Sequence, residues 1–453
     1  MTRLWHNACI FVVACILATG CIVEVPDAEK FAADRCVWRV ALEDPARDFT
    51  LSAIIPMSKN GKVEEDGLAR SQAMELAILD ANERNGVTGR KFGFRVCDKQ
   101  GDWVSRGSNL AGELGYWLGI NGVQATITGG SVDTLRVHSK TVGSGVLVMS
   151  LGATAADLTN YPDKDLMWRV APSDVYQGVV MGKLLVDEKA KNVAVLAVNN
   201  TYGDSLANVI KKETDNAVKV TTYAMKPGLS NLKTVLDGAS KQAPDYVVMV
   251  ADQDLAVAAY DGFATYPNLK KAKLLLSDAL HKQALYKAVK DAKQLQGALG
   301  TLPGDPAGKV FDAFKQNFKN RFSADASQRS FTGHSYDATY TVILAHAWAL
   351  RDNPDKAVTG ADLAQGLTKL SDLKGTKYTL EPTSYIDATK DLLAGKSINI
   401  EGASGPLDFD SKTGEPTSAV EVWRMKADGT FETLKWIRAT KTGDTWSFKS
   451  FTL

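Results

Sequence analysis

Short apolar runs alternate along the chain with longer stretches in which Ala, Leu and Met recur among charged residues. The first run, residues 51–55, is closed by Pro56, which has no N–H to extend a ladder. A Gly-bearing loop leads into an Ala-, Leu-, Met- and Glu-rich stretch that predicts a helix from about Gly67 to Arg84. Asn85, Gly86 and Gly89 tolerate positive φ and punctuate its end. A second run, residues 92–97, ends in polar Asp98 to Asp102. Strand, helix and strand with short joints form a βαβ unit, which implies a parallel sheet with a right-handed crossover.

The alternation continues. Residues 106–118 read as a helix, 123–128 as a strand, 131 to about 142 as a helix and 146–150 as a strand. Thr154-Ala155-Ala156-Asp157 has capping-box spacing and predicts a further helix start. Residues 165–172 are extended. Strands at 193–198, 246–250 and 274–276 are followed by polar residues, among them Tyr202, Asp252 and Asp278. Helices are expected over 310–322, 336–350 and 361–370, and a hairpin turned at Asp428-Gly429 joins 420–425 to 431–437. A chain of 453 residues exceeds what one core serves. The expectation is an α/β protein with two doubly wound parallel-sheet lobes, 48–170 plus 303–401 and 171–302 plus 402–453.

The first residues follow another pattern. Arg3 precedes an apolar run, residues 8–18, of signal-peptide length and too short to span a bilayer. Leu17-Ala18-Thr19-Gly20-Cys21 resembles a bacterial lipobox, with Ala18 where Leu is usual. Residues 1–20 are therefore expected to be a lipoprotein signal, Cys21 the lipidated residue and 21–47 a tether; a plain secretory signal is the alternative. No other stretch of eighteen apolar residues appears, so the only membrane contact expected is the lipid anchor.

Charge narrows the function. Net charge is +1, with no basic tract beyond Lys270-Lys271-Ala272-Lys273, so nucleic-acid binding has no electrostatic footprint. Of five cysteines, Cys9 and Cys15 lie in the leader and Cys21 is the lipidation candidate. Cys36 and Cys97 remain, either as a bridge in an oxidising compartment or as two buried thiols. Catalytic motifs are missing: no His-Glu-x-x-His, Gly-x-Ser-x-Gly or Gly-x-x-x-x-Gly-Lys-Ser/Thr. The histidines are scattered, and His346 sits on an Ala-rich helical face as a core residue would. An enzyme, a metal site and a cofactor are not expected.

Several short motifs, in order, carry a resemblance. Ile55-Pro56-Met57-Ser58, Gly67, Asn85-Gly86-Val87-Thr88-Gly89-Arg90 and Asp98-Lys99-Gln100 resemble the opening of the type I periplasmic binding proteins, the leucine/isoleucine/valine-binding branch. Arg169, Ser173-Asp174 and Gln177-Gly178 resemble that family's first crossing between lobes. Tyr202-Gly203 and the closing Gly405-Pro406-Leu407-Asp408-Phe409-Asp410 with Gly414-Glu415 also fit. The resemblance implies three hinge crossings, near Trp168, Gly300 and Gly402, and lobes that close on a small ligand.

In open α/β sheets ligands bind at the carboxyl ends of strands. Those ends here carry Ser58, Ser131, Ser150, Ala153-Thr154, Tyr202, Asp252 and Asp278. Hydroxyls and helix starts suit a carboxylate, and acids suit an ammonium. The resemblance implies ligand contacts from Ser131, Ala153, Thr154, Tyr202 and Asp278, to which Asp252 is added as an acid at a strand end. Each has an alternative: Ser131 and Thr154 as helix caps, Tyr202 as a roof over the core, the two acids as surface turns. Trp103, Trp117 and Tyr176 are candidates for the side-chain pocket. The expected role is a lipid-anchored protein outside the cytoplasm, in the bacterial periplasm or at the cell surface. It would pass a small ligand, an amino acid by preference, to an ABC permease; a sensing or interaction lipoprotein of the same fold is the alternative.

Overall fold

Two sheets organise the computed structural model, which describes residues 35–101, 108–214, 217–304, 308–417, 419–442 and 445–452. The signal segment 1–20, Cys21 and residues 22–34 lie outside the described residues. The first sheet holds β1 (Cys36–Val40), β2 (Phe49–Ile55), β3 (Phe92–Asp98), β4 (Ala125–Thr128), β5 (Leu147–Ser150) and β6 (Met167–Arg169). Their order is β1-β3-β2-β4-β5-β6, parallel except for β1. The second sheet holds β7 (Asn192–Val198), β8 (Lys219–Met225), β9 (Tyr246–Val250), β10 (Lys273–Leu276), β11 (Leu299–Pro303), β12 (Val420–Met425), β13 (Phe431–Thr442) and β14 (Thr445–Phe451). Its order is β8-β7-β9-β10-β11-β12-β13-β14, parallel through β11 and antiparallel from there on. The chain passes between the sheets three times: after Arg169, after Pro303 and before Val420.

The central strands are apolar because both faces are covered. Leu51, Ala53, Ile54 and Ile55 of β2 are all buried, and so is every residue of β9. The Glu65–Asn82 helix packs on the Thr332–Ala349 helix, which is buried almost all round, as a helix enclosed by other elements must be. Gly67 allows the approach of the first of these helices to the end of β2: a Cβ there would lie 1.7 Å from the Pro56 carbonyl oxygen. His346 is core, as its Ala-rich surroundings indicate. It lies between Phe49 and Phe92, and its Nδ1 is 2.8 Å from the Val342 carbonyl.

Four strands of these sheets fall outside the sequence expectations: β11, read only as a crossing, β14, β8 and β1. β8 is an edge strand, KVTTYAM, with only Met225 buried, so it lacks the apolar run that marks its neighbours. β1 lies within the segment assigned to the tether. It pairs antiparallel with β3, and Cys36 faces Cys97 in that register. Their sulfurs are bonded, closing a loop of 61 residues in sequence separation. A crosslink of that span stabilises by about 4 kcal/mol in the chain-entropy description. Urea unfolding with and without reductant is expected to show a loss of that order; unchanged stability would mean that β1 holds by its ladder alone.

Candidate functional site

Both sheets reverse their winding at one point, between β2 and β4 in the first and between β7 and β9 in the second. Crevices form at such points beyond the strand ends. Here the two crevices face each other. Gly130, Ser131, Val132 and Gly152 from the first sheet and Tyr202, Asp278 and Ala279 from the second line one small gap. Its free volume of about 10 Å³ has room for about one water molecule. Three bonds draw the facing loops together: Lys59 Nζ to Asp254 at 2.8 Å, Lys282 Nζ to Asp66 at 3.3 Å, and the Ala156 N–H to Ser205 Oγ at 2.7 Å.

Local rules place each side chain. Asn200 caps the Thr201–Glu213 helix by accepting from the Gly203 N–H at 3.0 Å. A Cβ on Gly203 would lie 1.9 Å from the Val198 carbonyl oxygen, so glycine lets the first turn sit on the end of β7. Tyr202 is thereby fixed at the gap. Its hydroxyl donates to Asp278 Oδ1 at 2.6 Å and lies 2.9 Å from Ser277 Oγ. Across the gap, Ser131 Oγ accepts from the Ala155 N–H at 3.0 Å, and Ser150 Oγ from the Ala153 N–H at 2.9 Å. Arg169 donates to the Ala153 and Ala155 carbonyls at 3.1 and 2.9 Å, and its Nε and Nη2 both reach Glu415. Loop 150–155 is therefore clamped from both sides.

The sequence shows Ser173-Asp174 as a crossing motif but gives no sign that Asp174 is a buried charge. It opens the Asp174–Asp187 helix, is fully buried, and its N–H donates to the Thr154 carbonyl at 2.6 Å. Neither of its carboxylate oxygens has a well-formed hydrogen bond among the described residues, and neither has the Thr154 hydroxyl. Thr154 lies near enough to favour the anion without completing a bond. Burial, then the neighbouring Asp278, pushes the Asp174 carboxyl well above its ordinary value. Burial also raises Asp278, against the Tyr202 hydrogen bond. Two buried acids thus share one region, and water is excluded from both.

Other expectations need correction. Thr154 starts no helix: only a single 3₁₀ turn, Ala156–Leu158, follows, and Ala155 rather than Thr154 precedes it. Packing of the 150–155 loop under Arg169 overrides the local capping pattern. Asp252 caps the Gln253–Phe263 helix, accepting from the Leu255 N–H at 3.0 Å, and does not line the gap. Trp117 lies against Arg95 on the Cys36–Cys97 side, and Tyr176 meets Trp446, so neither lines it. Trp103 lies outside the described residues. Among the described residues no group of three or more His, Cys, Asp or Glu could hold a metal, and no helix is long and apolar enough to cross a membrane.

Comparison with known proteins agrees with this architecture. A family profile described as periplasmic binding protein matches residues 50–430. The chemotactic signal transduction system substrate-binding protein BasB of Halobacterium salinarum is 22% identical over 405 residues, covering 87% of this chain and 92% of its own. The Leu/Ile/Val-binding protein homolog 3 of Brucella melitensis is 30% identical over 169 residues, covering 36% and 43%. Among solved structures, the leucine-binding protein LivK of Thermotoga maritima superposes with a TM-score of 0.67 at 18% identity, covering 85% of this chain and 97% of that one.

Proposed function

The chain belongs to the periplasmic binding protein family, and on that premise we propose that it binds a free amino acid in the cleft between the two sheets, for delivery to an ABC-type importer. The observation that carries the ligand class is the pair of buried acids, Asp174 and Asp278, in one water-poor region. An ammonium between them lets both ionise, and each charge-assisted hydrogen bond contributes about 1.5–3 kcal/mol. The carboxylate is received by the Ser131 hydroxyl and by the amides that open the Ser131–Thr141 helix, where the partial charge is positive, while Thr154 stands beside Asp174. Tyr202 orients Asp278 through its hydroxyl. Asp252 keeps the Gln253–Phe263 helix in place rather than touching ligand. A monocarboxylate without an amine meets two acids and is rejected.

Binding proceeds by opening and closing. The gap has room for little more than one water molecule, so the lobes must part for entry and close through bonds such as Lys59–Asp254. Lipidation at Cys21 would hold the protein at a membrane surface; mass spectrometry of the membrane fraction checks it. Calorimetric titration with an amino-acid panel tests the ligand class. Binding of at least one zwitterion is expected, with none of its deaminated acid analogue. No heat with any member, or equal binding of the deaminated acid, contradicts it. The breadth of the match to BasB favours sensing as a second reading, in which a receptor rather than a permease reads the closed form.

A further inference from the structure

A second cavity, of about 950 Å³, opens between the two sheets near the second and third crossings. It shares no lining residue with the gap at Tyr202 and Asp278. Its floor is a row of cross-strand neighbours, Leu302 of β11, Glu421 of β12 and Trp436 of β13, which register directly opposite one another and so project from one face. Its walls come from the other lobe and from the crossings: His334 in the first turn of the Thr332–Ala349 helix, Phe311 of the Lys309–Phe322 helix, and Ser404. The volume falls within the range of small-molecule sites.

Three residues of this lining carry buried polar atoms without partners. Trp436 Nε1, His334 Nε2 and His281 Nδ1 have no hydrogen bond among the described residues, although the three side chains are 1%, 5% and 8% exposed. Such atoms are rare in native interiors and call for a partner. Burial keeps both imidazoles neutral, each pushed down to about 3, so they add no charge. Glu421 is 5% exposed and accepts a hydrogen bond from the Thr433 hydroxyl at 2.5 Å; no ion pair is formed with it among the described residues. Of the other charges at the cavity, Lys315 pairs with Asp312 and Arg329 with Glu65 and Asp66, while Lys309, Lys426 and Asp428 are exposed and form no ion pair among the described residues. Phe431, stacked on His281 at 3.9 Å, adds a second aromatic side chain to the lining, five residues before Trp436 along β13.

We propose that this cavity is a second binding site, for a small organic amine with an apolar body. The ammonium pairs with Glu421 at the floor, and the body lies against Phe431 and Trp436. A desolvated carboxylate with aromatic side chains in the same lining suits such a cation. This goes beyond the amino-acid reading of the cleft and stands on different residues.

The probe is phenethylamine, with phenylacetate as its anionic counterpart. Calorimetric titration is expected to show phenethylamine binding to the wild type, at least tenfold weaker binding to Glu421→Gln, and affinity within twofold of wild type for Asp278→Asn. Glu421→Gln is expected to keep the amino-acid titration and, because burial raises the Glu421 carboxyl, to unfold no lower than the wild type at neutral pH. Any change in tryptophan emission on amine binding should vanish in Trp436→Phe. The proposal is overturned if phenethylamine does not bind, if phenylacetate binds as well, or if Glu421→Gln binds the amine unchanged. It is also overturned if Asp278→Asn abolishes amine binding, which would put the amine in the cleft, or if the emission change persists in Trp436→Phe.

Discussion

Asp278→Asn is expected to weaken amino-acid binding by about 2–5 kcal/mol, between thirtyfold and several thousandfold. Asp278 is buried, takes the Tyr202 hydroxyl at 2.6 Å, and shares its region with Asp174. Removing its charge leaves a bound ammonium with one acid instead of two, in surroundings that water does not reach. Stability is expected to move the other way. Burial raises both carboxyls in the closed, ligand-free protein. Their neutral forms are the favourable ones there, so this contribution is complete below the unfolded carboxyl value of about 4 and is lost as pH rises through the raised folded values. Asp174→Asn, which has no proton to lose, is therefore expected to unfold at a higher temperature than the wild type at neutral pH and to show a flatter pH profile. Ligand reverses the sign. An ammonium favours the ionised acids, so affinity rises with pH over the same window and protons are released on binding. Titrations in two buffers of different ionisation enthalpy measure that release. Equal affinity of Asp278→Asn and wild type, with no proton released, contradicts the assignment.

Arg169→Met is expected to cost about 3–5 kcal/mol of stability. Arg169 is 4% exposed, and its removal leaves Glu415, at 7%, buried without its cation. It also frees the Ala153 and Ala155 carbonyls, which the guanidinium holds at 3.1 and 2.9 Å. The double variant Arg169→Met with Glu415→Met removes both charges and is expected to recover most of the lost stability, because an apolar pair of similar volume avoids the desolvation penalty. Amino-acid affinity should stay low in both, since loop 150–155 has lost its clamp. Urea unfolding and titration of the three proteins separate these effects. Full affinity in the double variant would show that the clamp does not shape the site.

Much of this was legible in the sequence where burial is two-sided. β2, β7 and β9 are continuous apolar runs because sheet neighbours and helices cover them, and their limits are found to within a residue or two. β8 was missed because an edge strand needs no such run, and β1 because a short half-exposed strand held by Cys36 looks like a tether. At the site, Ser131, Tyr202 and Asp278 share the gap their strand-end positions suggested. Thr154 and Asp252 were harder, since a capping pattern says nothing about tertiary clamping: one lost its helix to Arg169, and the other proved to be a cap. Asp174 was hidden by its motif. Only the fold brings position 174 beside position 278, and only burial turns an ordinary helix-start acid into a charge that needs a partner. Arg169 and Glu415 each fall in a motif the sequence shows, but nothing local says that the two, 246 residues apart, pair.

The cleft assignment is tested most directly by a crystal structure with the tightest-binding amino acid from the panel. The expected result is an ammonium nitrogen within about 3.2 Å of Asp278 or Asp174, with the carboxylate at Ser131 and the start of its helix and the two sheets closed around it. A ligand held elsewhere, or one in the cleft with its ammonium turned away from both acids, would contradict it.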